Sequence, residues 1–126
     1  MVETTTQYLE YLYDLPSDED NDWQTEDYHY KKSGINLVIQ TRYSAVGVSR
    51  STWEAAFIMG EYVESNQDTI LKENKSVRVL ELGSGTGLGG IHFGTLMKKV
   101  GVEAEIYMTD ICAKSLRTAG KNLIRN

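Results

Sequence analysis

Several features are scarce or absent in this chain of 126 residues, and each scarcity excludes a class of protein. A single cysteine, Cys112, cannot form an internal disulfide or a cysteine-rich zinc site, which favours a reducing compartment. One proline and a hydrophobic content of 40% exclude collagen-like, mucin-like and wholly disordered chains. No apolar run approaches the roughly 20 residues that span a bilayer. The sequence therefore predicts one small cytosolic or nuclear domain without membrane association.

The net charge of −5 is unevenly distributed along the chain. Residues 1–30 hold nine acidic side chains and no lysine or arginine, whereas residues 31–126 hold thirteen basic and nine acidic ones. Because acidic side chains repel phosphates, the N-terminal segment is not expected to bind nucleic acid. We expect residues 1–32 to form a flexible acidic leader, with docking on a basic protein surface as the alternative.

The middle of the chain contains signals for a hairpin and a helix. Residues 35–50 alternate loosely and are rich in β-branched and aromatic side chains, which predicts a hairpin or two short strands. The sequence STWE at 51–54 fits a capping box, in which the serine and glutamate side chains bond the first backbone N–H groups of a helix. Apolar spacing then predicts that this helix continues to about Glu64. Residues 65–76 are polar and are expected to form a loop.

Two strand–helix units follow. Residues 77–82 form a short apolar run, typical of a parallel strand that is buried on both faces. A glycine-rich turn separates this strand from a helix predicted over residues 88–99. A second strand at 104–109 and a second helix at 115–125 complete the pattern. This order of elements predicts an α/β fold.

The glycine-rich sequence GSGTGLGG at residues 83–90 suits a nucleoside cofactor. Glycines after a strand allow a sharp turn and close approach of a ligand, and the next helix presents unpaired N–H groups. A phosphate-binding P-loop is excluded, because no Gly-Lys-Ser/Thr sequence follows. A dinucleotide fingerprint can be placed on Gly85, Gly87 and Gly90, although it begins two residues after the first glycine.

Two carboxylates favour a different cofactor, S-adenosylmethionine, which carries a positive sulfonium and no phosphate. Glu81 lies inside the apolar strand, where a charge is costly unless it has a partner or a purpose. Asp110 follows the second strand, where its carboxylate can accept hydrogen bonds from both hydroxyls of a ribose. NAD enzymes use an acidic residue in the same way, so Asp110 does not distinguish between the two cofactors. Glu81 favours S-adenosylmethionine, and an NAD-binding oxidoreductase stays as an alternative.

The sequence resembles a known family at five places. VLELGSGTGLGGI at residues 79–91 resembles motif I of the seven-strand S-adenosylmethionine-dependent methyltransferases. STWEAA at 51–56 resembles the tryptophan-containing helix start of one branch, the protein-lysine methyltransferases often labelled nicotinamide N-methyltransferase-like. LVIQ at 37–40, Thr-Asp at 109–110 and KNLIRN at 121–126 resemble neighbouring motifs of that branch.

The resemblance covers residues 35–126 and implies a Rossmann-like methyltransferase fold truncated after the second strand–helix unit, with an N-terminal β-hairpin. Residues 33–126 would be the N-terminal part of the cofactor-binding domain. The family's later strands are absent, as is the Asp-x-x-Tyr segment that lines its lysine channel, so no catalytic residue is assigned. We expect a fragment of a longer protein, with a truncated product that needs a partner as the alternative.

The resemblance also implies a function and a set of six cofactor-binding residues: Trp53, Glu81, Gly83, Ser84, Gly85 and Asp110. The three loop residues would contact the methionine part of S-adenosylmethionine, Asp110 the ribose, and Trp53 the edge of the cofactor. Glu81 would steady the loop or bind the ammonium end. The implied activity is methyl transfer to a lysine of a protein substrate, and the alternative is an inactive module that binds the cofactor or a partner. No metal site and no oligomeric state are indicated.

Overall fold

The computed structural model describes residues 23–42 and 51–126, and over these residues it has the predicted mixed α/β content. In chain order the elements are β1 (Trp23–Tyr30), β2 (Ile35–Arg42), α1 (Glu54–Ser65), α2 (Gln67–Leu71), β3 (Ser76–Leu82), α3 (Leu88–Val100), β4 (Glu103–Thr109) and α4 (Ala113–Arg125). β1 and β2 form an antiparallel sheet, and β3 and β4 form a parallel one. Within the described residues, no helix combines the length and apolar character that a membrane span requires.

The hairpin begins earlier in the chain than the sequence predicted. β1 pairs with β2 along its whole length, and residues 31–34 form the turn, in which Gly34 has a φ of +73°. β2 is one strand of the predicted hairpin, but its partner comes from the segment that was assigned to the acidic leader. The alternation of β1 was not recognised from the sequence, because the acidic residues lie on both sides of the strand: Asp27 is exposed, whereas Glu26 is half-buried on the same side as Tyr28 and Tyr30. Residues 1–22 and 43–50 lie outside the described residues.

The hydrophobic core lies between the hairpin, α1 and α3. Alternate residues of β2 point inward, so that Ile35, Leu37 and Ile39 are almost fully buried. Phe57 of α1 packs against Tyr30 of β1, with the ring centroids 4.7 Å apart. The buried apolar cluster consists of Tyr30, Ile35, Leu37, Ile39, Leu88, Ile91, Leu96 and Met97. The hairpin is therefore part of the same core as the helix that follows the glycine loop.

Helix α3 packs closely on β4 because two glycines four residues apart face the strand. A Cβ atom at Gly90 would lie 2.7 Å from Cγ and Sδ of Met108, and one at Gly94 would lie 3.0 Å from Cδ1 of Ile106. Contacts shorter than 3 Å are not tolerated in a packed interior. The glycines after the loop thus serve helix–strand packing as well as loop conformation.

The described residues cover only one face of the parallel sheet. Leu80 and Leu82 of β3 point away from α3 and are 63% and 78% exposed, and Tyr107 of β4 lies beside them at 41%. The prediction that residues 77–82 are buried on both faces is therefore wrong for this structure. The physical reason is that the described residues supply a helical layer on the α3 side and none on the other.

Two local predictions around α1 are corrected by the structure. The predicted capping box at 51–54 is not formed: the N-cap is Trp53, no side chain bonds the first turn, and Ser51 is exposed. The hydroxyl of Thr52 instead pairs with that of Thr86 in the glycine loop, at 2.9 Å. The polar segment after α1 was predicted to be a loop, but part of it forms the short helix α2.

A buried hydrogen-bonded cluster around Glu64 and His92 joins the hairpin to α1 and α3. Glu64 Oε1 lies 2.9 Å from His92 Nε2, and both side chains are at most 3% exposed. Ser33, in the hairpin turn, donates to the Glu64 carboxylate from its backbone N–H at 3.2 Å and from its hydroxyl at 2.5 Å. Lys32 donates to the Glu64 carbonyl oxygen, and Tyr30 stacks on the His92 ring at 3.8 Å. This cluster was not predicted, since acidic residues of a helix usually face solvent.

Both members of the pair have a lowered pKa. Burial lowers the pKa of His92, and the neighbouring Glu64 opposes this shift only in part. Burial on its own would raise the pKa of Glu64, but hydrogen bonds from Ser33 and His92 outweigh it, so the pKa is lowered. When the pH falls below the pKa values that His92 and Glu64 have in the unfolded chain, the unfolded chain binds more protons than the folded one. Acid therefore destabilises the fold.

We predict that the free energy of unfolding of the full-length protein falls as the pH drops from 7 to 5, because the pKa of His92 is lower in the folded state and the unfolded chain therefore takes up a proton first. It falls again below about pH 4.5, where the unfolded Glu64 is protonated. The measurement is the urea unfolding midpoint as a function of pH. The variant His92→Gln keeps a donor for Glu64 but cannot titrate, so its midpoint should vary less between pH 7 and 5. An equal pH dependence in both proteins would contradict this assignment.

Candidate functional site

The loop GSGTG at residues 83–87 connects β3 to α3 in a conformation that requires glycine. Gly83, Gly85 and Gly87 have φ values of +67°, +54° and +88°, in the region that side chains disfavour. A Cβ atom at Gly83 or Gly85 would meet no atom within 4 Å, whereas one at Gly87 would lie 3.0 Å from Cβ of Ala119. The first two glycines therefore expose backbone to open space, and the third is packed against α4.

The register of the parallel sheet places this loop beside the end of β4. Leu82 is opposite Thr109, so that β3 and β4 end at the same edge. The N–H of Ser84 continues the pairing by donating to the carbonyl of Thr109 at 2.8 Å, and the N–H of Gly87 closes a turn on the carbonyl of Ser84 at 2.8 Å. This edge, at the carboxyl ends of parallel strands, is where open α/β sheets bind ligands.

Asp110 holds the loop to the start of α4. Its Oδ2 accepts a hydrogen bond from the N–H of Gly85 at 2.9 Å, and its Oδ1 accepts one from the N–H of Cys112 at 2.8 Å. The side chain is half-buried. Since each carboxylate oxygen can accept two hydrogen bonds, acceptor capacity is left on both oxygens. Asp110 lies at the end of β4, where the sequence placed it. Its hydrogen bond to the glycine loop was not predicted.

Glu81 lies against the first turn of α3. Its Oε2 accepts a hydrogen bond from the N–H of Gly90 at 2.9 Å, and a Cβ atom at Gly89 would lie 2.4 Å from its Oε1. Burial raises the pKa of Glu81, and the hydrogen bond from Gly90 opposes that shift. A carboxylate at a helix N-terminus interacts favourably with the unpaired N–H groups there. The backbone of α3 therefore supplies the hydrogen-bond partner that the Glu81 carboxylate needs inside β3.

Thr86 joins the loop to two further parts of the structure. The residue is buried, and its hydroxyl lies 2.9 Å from that of Thr52, just before α1. Its carbonyl accepts a hydrogen bond from Nδ2 of Asn122 in α4, at 2.8 Å. Thr52, Thr86 and Asn122 were not among the predicted site residues. Asn122 could have been noticed as a polar residue on the inward face of an amphipathic helix.

Of the predicted site residues, the structure brings Gly83, Ser84, Gly85 and Asp110 together around the loop. Ser84 is buried, and its hydroxyl has no hydrogen-bond partner among the described residues. Trp53 is 59% exposed and directly follows Thr52, whose hydroxyl is bonded to that of Thr86. No group of three His, Cys, Asp or Glu side chains in the described part of the chain could hold a metal ion.

Comparison with known proteins gives consistent matches. A family model described as lysine methyltransferase matches residues 31–125. The chain is 40% identical over 73 residues to EEF1A lysine methyltransferase 3 of Xenopus tropicalis, covering 56% of this chain and 30% of that protein. It is 35% identical over 88 residues to Protein N-lysine methyltransferase METTL21A of the same species, covering 70% and 37%.

A third relative is an uncharacterized protein of Dictyostelium discoideum, 32% identical over 112 residues, which are 87% of this chain and 28% of that protein. The chain thus spans between 28% and 37% of the length of these relatives.

We predict that Ser84→Ala leaves the unfolding free energy of the ligand-free protein unchanged or raises it by about 1 kcal/mol, because a buried hydroxyl without a partner is destabilising. The matched change Thr86→Val removes a hydroxyl that is bonded to Thr52, and should lower the unfolding free energy by about 1 kcal/mol. Urea denaturation of both variants checks the pair. A loss of stability in Ser84→Ala as large as that in Thr86→Val would show that the Ser84 hydroxyl has a partner.

Proposed function

This chain belongs to the lysine methyltransferase family, and we propose from that membership that the full-length protein transfers a methyl group from S-adenosylmethionine to a lysine of a protein substrate. The names of two relatives, EEF1A lysine methyltransferase 3 and Protein N-lysine methyltransferase METTL21A, support a protein substrate. The cofactor supplies an electrophilic methyl group on a positively charged sulfonium.

The observation that carries the proposal is an open glycine backbone beside a carboxylate and beside a buried hydroxyl that has no partner among the described residues. Gly83 and Gly85 leave room for a ligand, Ser84 lies between them, and Asp110 is hydrogen-bonded to Gly85. Such an arrangement fits a cationic nucleoside cofactor. It is less suited to a diphosphate, because the Glu81 carboxylate already places a negative charge against the first turn of α3, where a diphosphate would otherwise bind.

Each predicted residue can then be given a task within this proposal. The free acceptor capacity of Asp110 would bind the ribose hydroxyls, and the loop at Gly83, Ser84 and Gly85 would contact the methionine part. Trp53 would contact the edge of the cofactor. The contact between Glu81 and Gly90 fixes the helix that follows the loop, so its role is to steady the site.

Methyl transfer to an amine depends on placing a neutral lysine in line with the reacting bond and on excluding water. Acid–base catalysis has a small part in such a reaction, and we assign no catalytic residue among the described ones. What this part of the protein contributes is the placement of the cofactor. The acidic residues of the N-terminal segment favour a substrate with a basic surface.

The test is incorporation of radiolabelled methyl from S-adenosylmethionine by the full-length protein, with purified EEF1A as one substrate and a proteome extract as another. We expect label on lysine. In calorimetry, Asp110→Ala should weaken cofactor binding by about 10- to 100-fold, the value of one or two hydrogen bonds to a charged group. Asp68→Ala, an exposed carboxylate of α2, is the control and should bind as the wild type does.

Other outcomes distinguish the alternatives. Binding of S-adenosylmethionine without transfer to any protein would favour a cofactor-binding module. Tighter binding of NAD than of S-adenosylmethionine would overturn the proposal. Affinity is measured at a temperature where circular dichroism shows that Asp110→Ala is folded, because the same carboxylate also holds Gly85.

A further inference from the structure

Asn122 of α4 and Asn126, which directly follows this helix, close the open edge of β2. β1 pairs with one side of β2, and on the other side the side-chain amides of Asn122 and Asn126 take the place of a neighbouring strand. Asn122 accepts a hydrogen bond from the N–H of Gln40 at 2.8 Å and donates to its carbonyl at 3.0 Å. Asn126 accepts from the N–H of Val38 at 2.9 Å and donates to its carbonyl at 2.9 Å.

The spacing of the two asparagines explains why a helix can do this. Residues four apart on a helix are separated by about 6 Å along its axis. Residues two apart on a strand are separated by about 6.6 Å, and these are the residues whose N–H and C=O point to the same edge. The sequence Asn-x-x-x-Asn therefore matches the repeat of a strand edge, with one amide for Val38 and one for Gln40.

The two asparagines differ in what else they bind. Nδ2 of Asn122 also donates to the carbonyl of Thr86 in the glycine loop, at 2.8 Å, and Asn122 is fully buried. Nδ2 of Asn126 donates instead to the carbonyl of Asn122 within α4, at 2.8 Å, and Asn126 is exposed. The Asn122 amide thus donates to one carbonyl of the hairpin, that of Gln40, and to one of the loop, that of Thr86.

The bond from Asn122 falls on a residue of the loop that has a glycine on either side. Thr86 lies between Gly85 and Gly87, both in the left-handed region. A peptide next to a glycine can rotate at little steric cost. Rotation of the Thr86–Gly87 peptide would turn its N–H away from the carbonyl of Ser84, which it now meets at 2.8 Å. The hydrogen bond from the Asn122 amide to the Thr86 carbonyl opposes this rotation.

We propose that Asn122 is a positioning residue for the cofactor, through its restraint of the Thr86–Gly87 peptide. It also couples the loop to the hairpin, so that β2, α4 and the loop keep one arrangement. This inference rests on the proposed function, since it concerns the affinity of the glycine loop for S-adenosylmethionine. Asn122 touches no part of the proposed cofactor surface itself.

The test compares Asn122→Asp with Asn126→Asp in the full-length protein. Both changes preserve shape, and both set an oxygen against a carbonyl of β2, so both should lower the unfolding midpoint. Only Asn122→Asp also sets an oxygen against the Thr86 carbonyl. We expect its Kd for S-adenosylmethionine to rise about tenfold, and that of Asn126→Asp to change less than about twofold.

A second readout separates positioning from general destabilisation. Hydrogen exchange at the Gly85 and Gly87 amides should accelerate in Asn122→Asp and not in Asn126→Asp, at a temperature where both are folded. If Asn122→Asp does not fold, Asn122→Ser, which can donate to one carbonyl only, is used in its place. Equal affinities and equal loop exchange in the two variants would overturn the inference. A wild-type protein that fails to bind S-adenosylmethionine would instead overturn the proposed function, and the cofactor role of Asn122 with it.

Discussion

The parallel pairing of β3 with β4 is the constraint on which the candidate site depends. With Leu82 opposite Thr109, both strands end at one edge, and the N–H of Ser84 can extend the pairing. Asp110 then lies beside the loop, and Glu81 faces α3. A slip of one residue would move every side chain of β3 to the opposite face. Glu81 would lose its bond to α3, and the loop would begin at a different height from Asp110.

The parts of the fold that the sequence predicted well are those determined by local signals. The bounds of β3, α3, β4 and α4 lie within about two residues of the prediction, because each is set by a short run of apolar residues or by the glycines between them. The loop at 83–87 was predicted for the same reason, since a positive φ at several neighbouring positions demands glycine. The position of Asp110 could be predicted because the residue directly follows a strand, although its hydrogen-bond partners could not.

The parts that were missed are decided by partners distant in the sequence. Gln40 and Asn122 are 82 residues apart, and Ser33 and Glu64 are 31 apart. An acid or an amide in a helix has the same local signature whether it faces water or a buried partner. The pairing of β1 with β2 was missed in the same way, because the charges of β1 resemble those of a solvated segment. Burial of a polar group depends on geometry that no short window of sequence contains.

Hydrogen bonds between buried polar groups determine where atoms lie, because they form only within a narrow range of distance and angle. A loop with three glycines in the left-handed region has little preference for its own shape. Asp110, Asn122 and Thr52, from three different parts of the chain, each bond one group of this loop. Its shape is therefore imposed from outside. The hydroxyl of Ser84 is buried in that imposed shape without a partner among the described residues, which is unfavourable for the loop alone and is expected of a loop organised around a ligand.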